Sequence, residues 1–187
     1  MKRAIPILVL ALAATVYAVM LAWSLPHLVA IARDGGLADA RLFDLRPGGY
    51  GFEDARQLLI ALGEPGRAFY TGVQHRLDAA FAVLNGLSML IGLTFVARRL
   101  GLAGRAATAS AIVLGLAVAG FDLAENIAVA GLLDAGPEAI TPAMVAAASR
   151  FSVLKSTAVT GALTLLLAGF AVAAYRLVRD RWRRGQP

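Results

Sequence analysis

The sequence contains no cysteine, and only 16% of its residues are charged. Without a thiol, the chain cannot carry out disulfide exchange, use a thiolate nucleophile, hold a Cys-ligated iron–sulfur cluster or attach haem covalently. Histidine is also scarce, since His27 and His75 are the only two. Two imidazoles could ligate a haem iron, but no ligand spacing supports a metal site. We therefore expect neither a metal nor a cofactor.

Hydrophobic residues make up 59% of the chain, a fraction too high for a soluble domain of this size. They form four stretches that reach the roughly 20 residues needed to cross a bilayer. Each is expected to be helical because lipid offers backbone groups no hydrogen-bond partners. The stretches cover residues about 5–31, 77–96, 107–133 and 151–177. The sequence therefore predicts an all-α fold, a four-helix transmembrane bundle in which residues 1–187 form a single polytopic membrane domain.

The basic residues indicate how the chain is oriented. They concentrate at the N-terminus, in the second connection and in the tail, and Asp180 is the only acid in these three regions. The loop over residues 32–76 has arginines and acids in equal number. The positive-inside rule then predicts cytoplasmic N- and C-termini and an external loop. We expect a multi-pass protein of a bacterial inner membrane. The formal charge of +6 is expected to meet anionic lipid headgroups, not nucleic acid.

The first stretch has a second interpretation as a cleaved signal peptide. Lys2 and Arg3 precede it, and residues 16–18 form an acceptable cleavage site. Its apolar run continues to Ile31, however, which is longer than a typical signal core and favours a retained span. The three later spans keep the same direction in either case.

One segment of the external loop has apolar residues at helical spacing. It covers residues 52–62, follows a turn-forming cluster at residues 48–51, and is followed by Gly63, a residue type favoured just after a helix. Pro65 is well placed to open a further helix that continues into the second span. The pattern predicts a short amphipathic external helix between the first and second spans, lying on the membrane surface.

Strongly polar residues interrupt the second and third spans. Asp78 and Asn85 lie seven residues apart and so share one face of the second span. Asp122, Glu125 and Asn126 are spaced i, i+3 and i+4 and share one face of the third span. The predicted directions place all of them at the level of the outer leaflet. A charge in the hydrocarbon region costs a few kcal/mol, so such groups usually face a partner, a cavity or water.

The fourth span adds two bases, Arg150 and Lys155, at the same level. Three acids (Asp78, Asp122 and Glu125) then face two bases, which leaves one acid unpaired and able to bind a proton in a ligand-binding or catalytic pocket. The alternative is an interhelical clamp, in which Asp122 and Glu125 pair with the two bases only to hold the bundle together. A cavity among the acids favours the pocket, whereas direct contact with the bases favours the clamp.

Part of the sequence resembles a pattern in small, uncharacterised bacterial four-span membrane proteins. The pattern is Leu-Gly-x-x-Gly-Arg-x-x-Tyr at residues 62–70, then Asp78, then Asp-x-x-Glu-Asn at residues 122–126. The resemblance covers roughly residues 45–130 and implies no known activity. This chain departs from the pattern in residues 82–85, where those proteins have a proline followed by a tyrosine.

A more distant likeness, in layout only, is to the four-span sterol isomerases and sigma-2-type receptors. Those proteins have a long first external loop, an acid at the start of the second span, and a pocket of intramembrane acids that handles lipophilic amines or a carbocation. The likeness implies comparable roles for Asp78, Asp122 and Glu125. An analogy of architecture does not by itself establish function.

Together these features favour an integral membrane protein with an outer-leaflet polar pocket for a lipophilic or lipid-like ligand, and they leave open whether it is an enzyme. The candidate catalytic residues are Glu125, as general acid or base, and Asp122, which would tune it. The candidate ligand-binding residues are Asp78, Asn85, Asn126, Arg150, Lys155, Tyr70 and Arg67. Two alternatives stay open, a structural or assembly subunit of a larger membrane complex and a proton-coupled small-molecule transporter. The expected partners are membrane lipid, a lipophilic small molecule, and another membrane protein or a second copy of this chain.

Overall fold

The computed structural model describes residues 4–102 and 104–184, and within them the chain is helical with no β-strand. A π-helical turn joins the first two helices at Met20–Ser24, and another joins the third and fourth at Tyr70–Gln74. A 3-10 turn, Phe43–Leu45, lies in the loop between the second and third helices. The helices are α1 Ala4–Val19, α2 Leu25–Asp34, α3 Phe52–Phe69, α4 His75–Arg99, α5 Arg105–Ala139 and α6 Pro142–Arg184.

Four helical segments are long and apolar enough to cross a membrane. They are Ala4–Asp34, Phe52–Arg99, Arg105–Ala139 and Pro142–Trp182. Each contains one of the stretches predicted from the sequence and extends beyond it. Large apolar side chains are exposed along these helices, as expected of surfaces that face lipid. The predicted all-α four-helix bundle and the multi-pass membrane class are therefore confirmed.

Helices α4, α5 and α6 form the centre of the bundle, and α1 packs mainly on α4. α4 and α5 cross at two glycines that leave no room for side chains. A Cβ atom on Gly86 would lie 2.6 Å from the Gly115 carbonyl oxygen, and one on Gly115 would lie 2.8 Å from the Gly86 carbonyl oxygen. Small residues of this kind let membrane helices pack backbone against backbone.

Helix α3 is broken where Gly63 adopts φ +60° and ψ −175°. Glycine takes this conformation without the steric penalty that a Cβ atom would bring. The break predicted at Gly63 is therefore present, and Pro65 lies in the first turn of the helical segment that follows. The segment before the break buries Leu58 and Leu59 in the bundle. Its position on the membrane surface stays a prediction.

The largest group of buried apolar side chains includes residues of the loop between α2 and α3. Leu42 and Phe43 are fully buried, together with Leu28 of α2 and Leu58 of α3. The Phe43 ring also packs against Tyr70. The loop is thus part of the packed interior, and this packing fixes the position of Asp44, which follows Phe43 in the chain.

Candidate functional site

The buried acids of α5 contact a lysine on α6. Lys155 Nζ lies 3.1 Å from Asp122 Oδ1 and forms a closer ion pair with Glu125 Oε2. The other Glu125 oxygen accepts a hydrogen bond from the Ser152 hydroxyl, which lies one turn before Lys155. Both carboxylates are almost fully buried. These contacts are therefore shielded from water and hold α5 against α6.

A cleft of about 390 Å³ adjoins this ion-pair cluster. Its acidic and basic lining consists of Asp44, Asp78, Asp122 and Lys155. One edge is formed by Tyr17 of α1 with Met20 and Leu21 of the π-helical turn that follows it. The edge on α6 is formed by Ser156, Val159 and Thr160. Tyr17 and Leu21 are about half exposed. The cleft therefore reaches the lipid-facing surface between α1 and α6.

Asp44 enters the cleft from the loop between α2 and α3. The side-chain amide of Gln74 donates a hydrogen bond to Asp44 Oδ2 at 3.2 Å, and the Ser24 hydroxyl donates one to Gln74 Oε1 at 2.7 Å. The Tyr70 hydroxyl also lies close to Asp44, although it makes no hydrogen bond of acceptable geometry. Burial raises the pKa of the Asp44 carboxyl to about 6, although the positive charge of Lys155 acts in the opposite direction.

The two residues that hold Asp44 lie in the two π-helical turns. Ser24 ends the turn Met20–Ser24, and Gln74 ends the turn Tyr70–Gln74. The two turns pack against each other, and both polar side chains are completely buried. A π-helical turn carries one extra residue, which shifts the face that later side chains present, and such turns are frequent at functional sites.

Among the described residues that line the cleft, two carboxylates each have a buried oxygen with neither a hydrogen bond nor an ion pair. These oxygens are Asp44 Oδ1 and Asp78 Oδ2. By contrast, the oxygens of Asp122 and Glu125 that face Lys155 are paired with its ammonium group. Buried polar atoms usually have a partner, so two unpaired acceptors in one cleft indicate a site that can accept hydrogen bonds or positive charge from a ligand.

Most of the polar residues singled out from the sequence come together. Asp78, Asn85, Asp122 and Lys155 all line the cleft. Asn126 lies next to Asp78. Glu125 and Ser152 lie behind Lys155, and Glu125 is not among the residues that line the cleft.

Other predicted site residues lie elsewhere. Arg150 is exposed and forms no salt bridge with the acids in the part of the chain that the structure describes. Arg67 donates a hydrogen bond to the Leu59 carbonyl at 3.4 Å and lines a separate recess near Asp134. Tyr70 is buried beside Asp44, and the cleft lining does not include it.

The histidines are also apart from the cleft. His27 packs on Phe69 and His75 on Tyr70. Among residues 4–102 and 104–184, no three His, Cys, Asp or Glu side chains are arranged to hold a metal ion.

Sequence reasoning did not single out Asp44, Gln74 or Ser24. Asp44 is one of several acids in the external loop, and the sequence does not indicate that this one folds inward. A usable signal existed for Ser24, because it is one of few polar residues in an apolar run, and for Gln74, because it precedes the second span. Polar residues in such positions need partners across helices.

Comparisons of this chain with models of protein families, with curated proteins and with solved structures found no match.

Proposed function

We propose that this multi-pass membrane protein binds a lipid-like ligand in the cleft. The polar head of the ligand would contact Asp78 and Asp122, and its apolar body would lie between α1 and α6. One observation carries the proposal, which is that an acidic lining and an apolar lining meet in a single cavity of about 390 Å³. This volume falls within the range of small-molecule sites in proteins, and such sites typically combine apolar walls with a few polar groups.

The charges in the cleft favour a positively charged head group. Asp44, Asp78 and Asp122 line it, and Lys155 is the only basic side chain among the described residues of the lining. The Lys155 ammonium is already paired with Asp122 and with Glu125 behind it. A head group that donates hydrogen bonds, such as a protonated amine, would bond to the carboxylates of the lining and offset their excess negative charge.

Acid–base chemistry, if the ligand is a substrate, would fall to Asp78 and Asp122 because these carboxylates line the cleft. A general acid or base must lie within hydrogen-bond reach of the proton that it transfers. Glu125 has one oxygen on Ser152 and the other on Lys155. We therefore assign to Glu125 the role of holding Lys155 in place, in preference to the acid–base role that the sequence suggested.

The Lys155 contacts also favour a structural interpretation, in which the acids only clamp α5 to α6. The clamp accounts for Asp122 and Glu125, whose oxygens contact the ammonium group. It gives no role to Asp44 and Asp78, each of which has an oxygen without a hydrogen bond. The clamp and the pocket are compatible, and a binding measurement separates the pocket from a clamp alone.

The test measures binding of dodecylamine, which is protonated at neutral pH, to the protein in phosphatidylcholine nanodiscs. Empty nanodiscs provide the background from partitioning. We expect saturable binding by the unmodified protein and binding at least about tenfold weaker, or about 1.4 kcal/mol, in Val159→Trp, which fills the cleft from α6.

The matched control is Leu167→Trp, which adds the same ring to an exposed position of the same helix. It should bind dodecylamine as the unmodified protein does. The proposal would be overturned if the unmodified protein showed no saturable binding. It would also be overturned if the two tryptophan variants bound dodecylamine with equal affinity. Equal binding would mean that the amine occupies the surrounding lipid or another surface.

A further inference from the structure

The loop between α2 and α3 is held at the cleft from both sides of Asp44. Before it, Leu42 and Phe43 are fully buried. After it, the backbone N–H of Tyr50 donates a hydrogen bond to the Ser149 hydroxyl on α6 at 2.8 Å. A loop that only connects two helices over the surface does not need such anchors. Here the anchors hold the Asp44 side chain at the cleft, beside the ion-pair cluster of Asp122, Glu125 and Lys155.

The orientation of the Gln74 amide is determined by Asp44. A carboxylate only accepts hydrogen bonds, so the NH₂ end of the amide faces Asp44, where it donates to Oδ2 at 3.2 Å. Oε1 then faces Ser24 and accepts a hydrogen bond from the Ser24 hydroxyl. Because both Ser24 and Gln74 are completely buried, this chain of hydrogen bonds is protected from water. Asp44 Oδ1 is buried and has no hydrogen-bond partner among the described residues, while the Asp44 side chain as a whole lines the cleft.

Asp44 also changes the charge of the cleft lining. Without it, Asp78 and Asp122 face Lys155, and with it three carboxylates face one ammonium group. Asp44 and Asp78 each have a buried oxygen without a partner among the described residues, and they come from different parts of the chain, the loop and α4. A ligand that bridges them would therefore require the loop in its folded position.

We propose that Asp44 is a ligand-contacting residue that makes the cleft selective for an amine over a neutral head group, and that Ser24 and Gln74 are positioning residues that hold it there. The proposal rests on the proposed function, since it assigns the head-group specificity of the same cleft. It makes the loop between α2 and α3 a component of the binding site as well as a connection.

The test compares dodecylamine with dodecanol, which has the same chain length and a neutral head, in the nanodisc assay described above. In Asp44→Asn we expect dodecylamine binding to weaken by about tenfold or more while dodecanol binding stays within about twofold. The matched control is Asp39→Asn, which removes the same charge from an exposed position of the same loop. It should leave the binding of both probes unchanged.

The positioning residues are tested with Gln74→Met, which keeps the approximate size of the side chain and removes the amide. We expect dodecylamine affinity to fall in the same direction as in Asp44→Asn, again without a change in dodecanol affinity. In the double variant, Gln74→Met should add little to Asp44→Asn, because the amide acts through that carboxylate.

Three outcomes would overturn the inference. Unchanged dodecylamine affinity in Asp44→Asn would show that this side chain does not contact the ligand. A parallel fall for both probes would show that it only maintains the shape of the cleft. Full additivity of Gln74→Met and Asp44→Asn would remove the positioning role. If neither probe binds the unmodified protein saturably, the proposed function itself fails, which is a separate result.

Discussion

Lys155 is the single cation that pairs with the two buried carboxylates of α5 in the described structure. Its ammonium group contacts both Asp122 and Glu125, which are almost fully buried. An ion pair away from water gains strength from the low dielectric but must offset the desolvation of each charge. The net contribution of such a pair is small, whereas the loss of one partner leaves an uncompensated charge. The two acids therefore depend on Lys155 much more than an exposed pair would.

We expect Lys155→Met to lower the free energy of unfolding by about 3–5 kcal/mol, because it leaves two buried carboxylates without their cation. Arg150→Met, at an exposed position of the same helix, should change it by no more than about 0.5 kcal/mol. Equilibrium unfolding in mixed micelles measures both. Adding Glu125→Gln to Lys155→Met should recover part of the loss. A Lys155→Met variant as stable as the Arg150→Met control would rule out this dependence.

The individual residues of the site could be predicted only where local geometry decides their position. Asp122, Glu125 and Asn126 had to share a face because they are separated by three and four positions on one helix. Asp44 could not be found in this way, because its position results from the burial of Leu42 and Phe43 against distant helices. Composition alone does not predict which base pairs with the acids. Arg150 is exposed, whereas Lys155, five residues later on the same helix, is largely buried and contacts Asp122.

Helices α4 and α5 approach each other backbone to backbone, and this approach depends on two glycines. The backbone of Gly115 meets the backbone of Gly86, so a side chain on either one would push the helices apart. This contact fixes α5 relative to α4. It thereby fixes the distance between Asp122 on one helix and Asp78 on the other.

Gly115→Ala should destabilise the protein by about 1–3 kcal/mol, because the new Cβ atom would overlap the Gly86 carbonyl oxygen. Gly120→Ala is the matched control on the same helix, since no atom of another helix lies within 4 Å of the position that its Cβ atom would take. It should be neutral or stabilise the protein by up to about 1 kcal/mol, as alanine favours helix over glycine. Thermal unfolding in detergent distinguishes the two. Equal stability of both variants would contradict the close approach.

The helices could be predicted because the apolar composition of the sequence dictates them. The π-helical turns could not be predicted. A long apolar run in lipid must form a helix to satisfy its backbone, and a glycine followed by Pro65 marks the break in α3. A π-helical turn differs from the surrounding helix by a single residue in its hydrogen-bond pattern. No residue type specifies that difference. It arises where the turns pack against each other and bury Ser24 with Gln74.

In the molecule as a whole, the buried acids and the arginine-rich helix ends lie toward opposite ends of the bundle. The cleft and its acids adjoin the loop between α2 and α3. The arginines at the end of α4 and near the end of α6 mark the other end, where Arg176 donates a hydrogen bond to the Leu100 carbonyl at 3.0 Å. The positive-inside rule assigns this second end to the cytoplasm, and that orientation stays a prediction.

The absence of cysteine permits a direct test of orientation, because a single introduced thiol is the only one in the chain. We expect Asp39→Cys, in the loop between α2 and α3, to react with a membrane-impermeant maleimide added to intact cells. Leu102→Cys, an exposed position between α4 and α5, should react only after the membrane is opened. The reverse pattern would place the cleft in the cytoplasmic leaflet.

The cleft opens between α1 and α6, and this opening determines whether the concentration of a ligand in the bilayer or in water governs its binding. A molecule that arrives sideways from the bilayer is counted by its mole fraction among the neighbouring lipids, and its concentration in water matters only through partitioning. Each added methylene makes the free energy of transfer of an amphiphile from water into the membrane more favourable by about 0.8 kcal/mol. A homologous series of amines would therefore gain apparent potency with chain length even if every member made the same contacts with the protein.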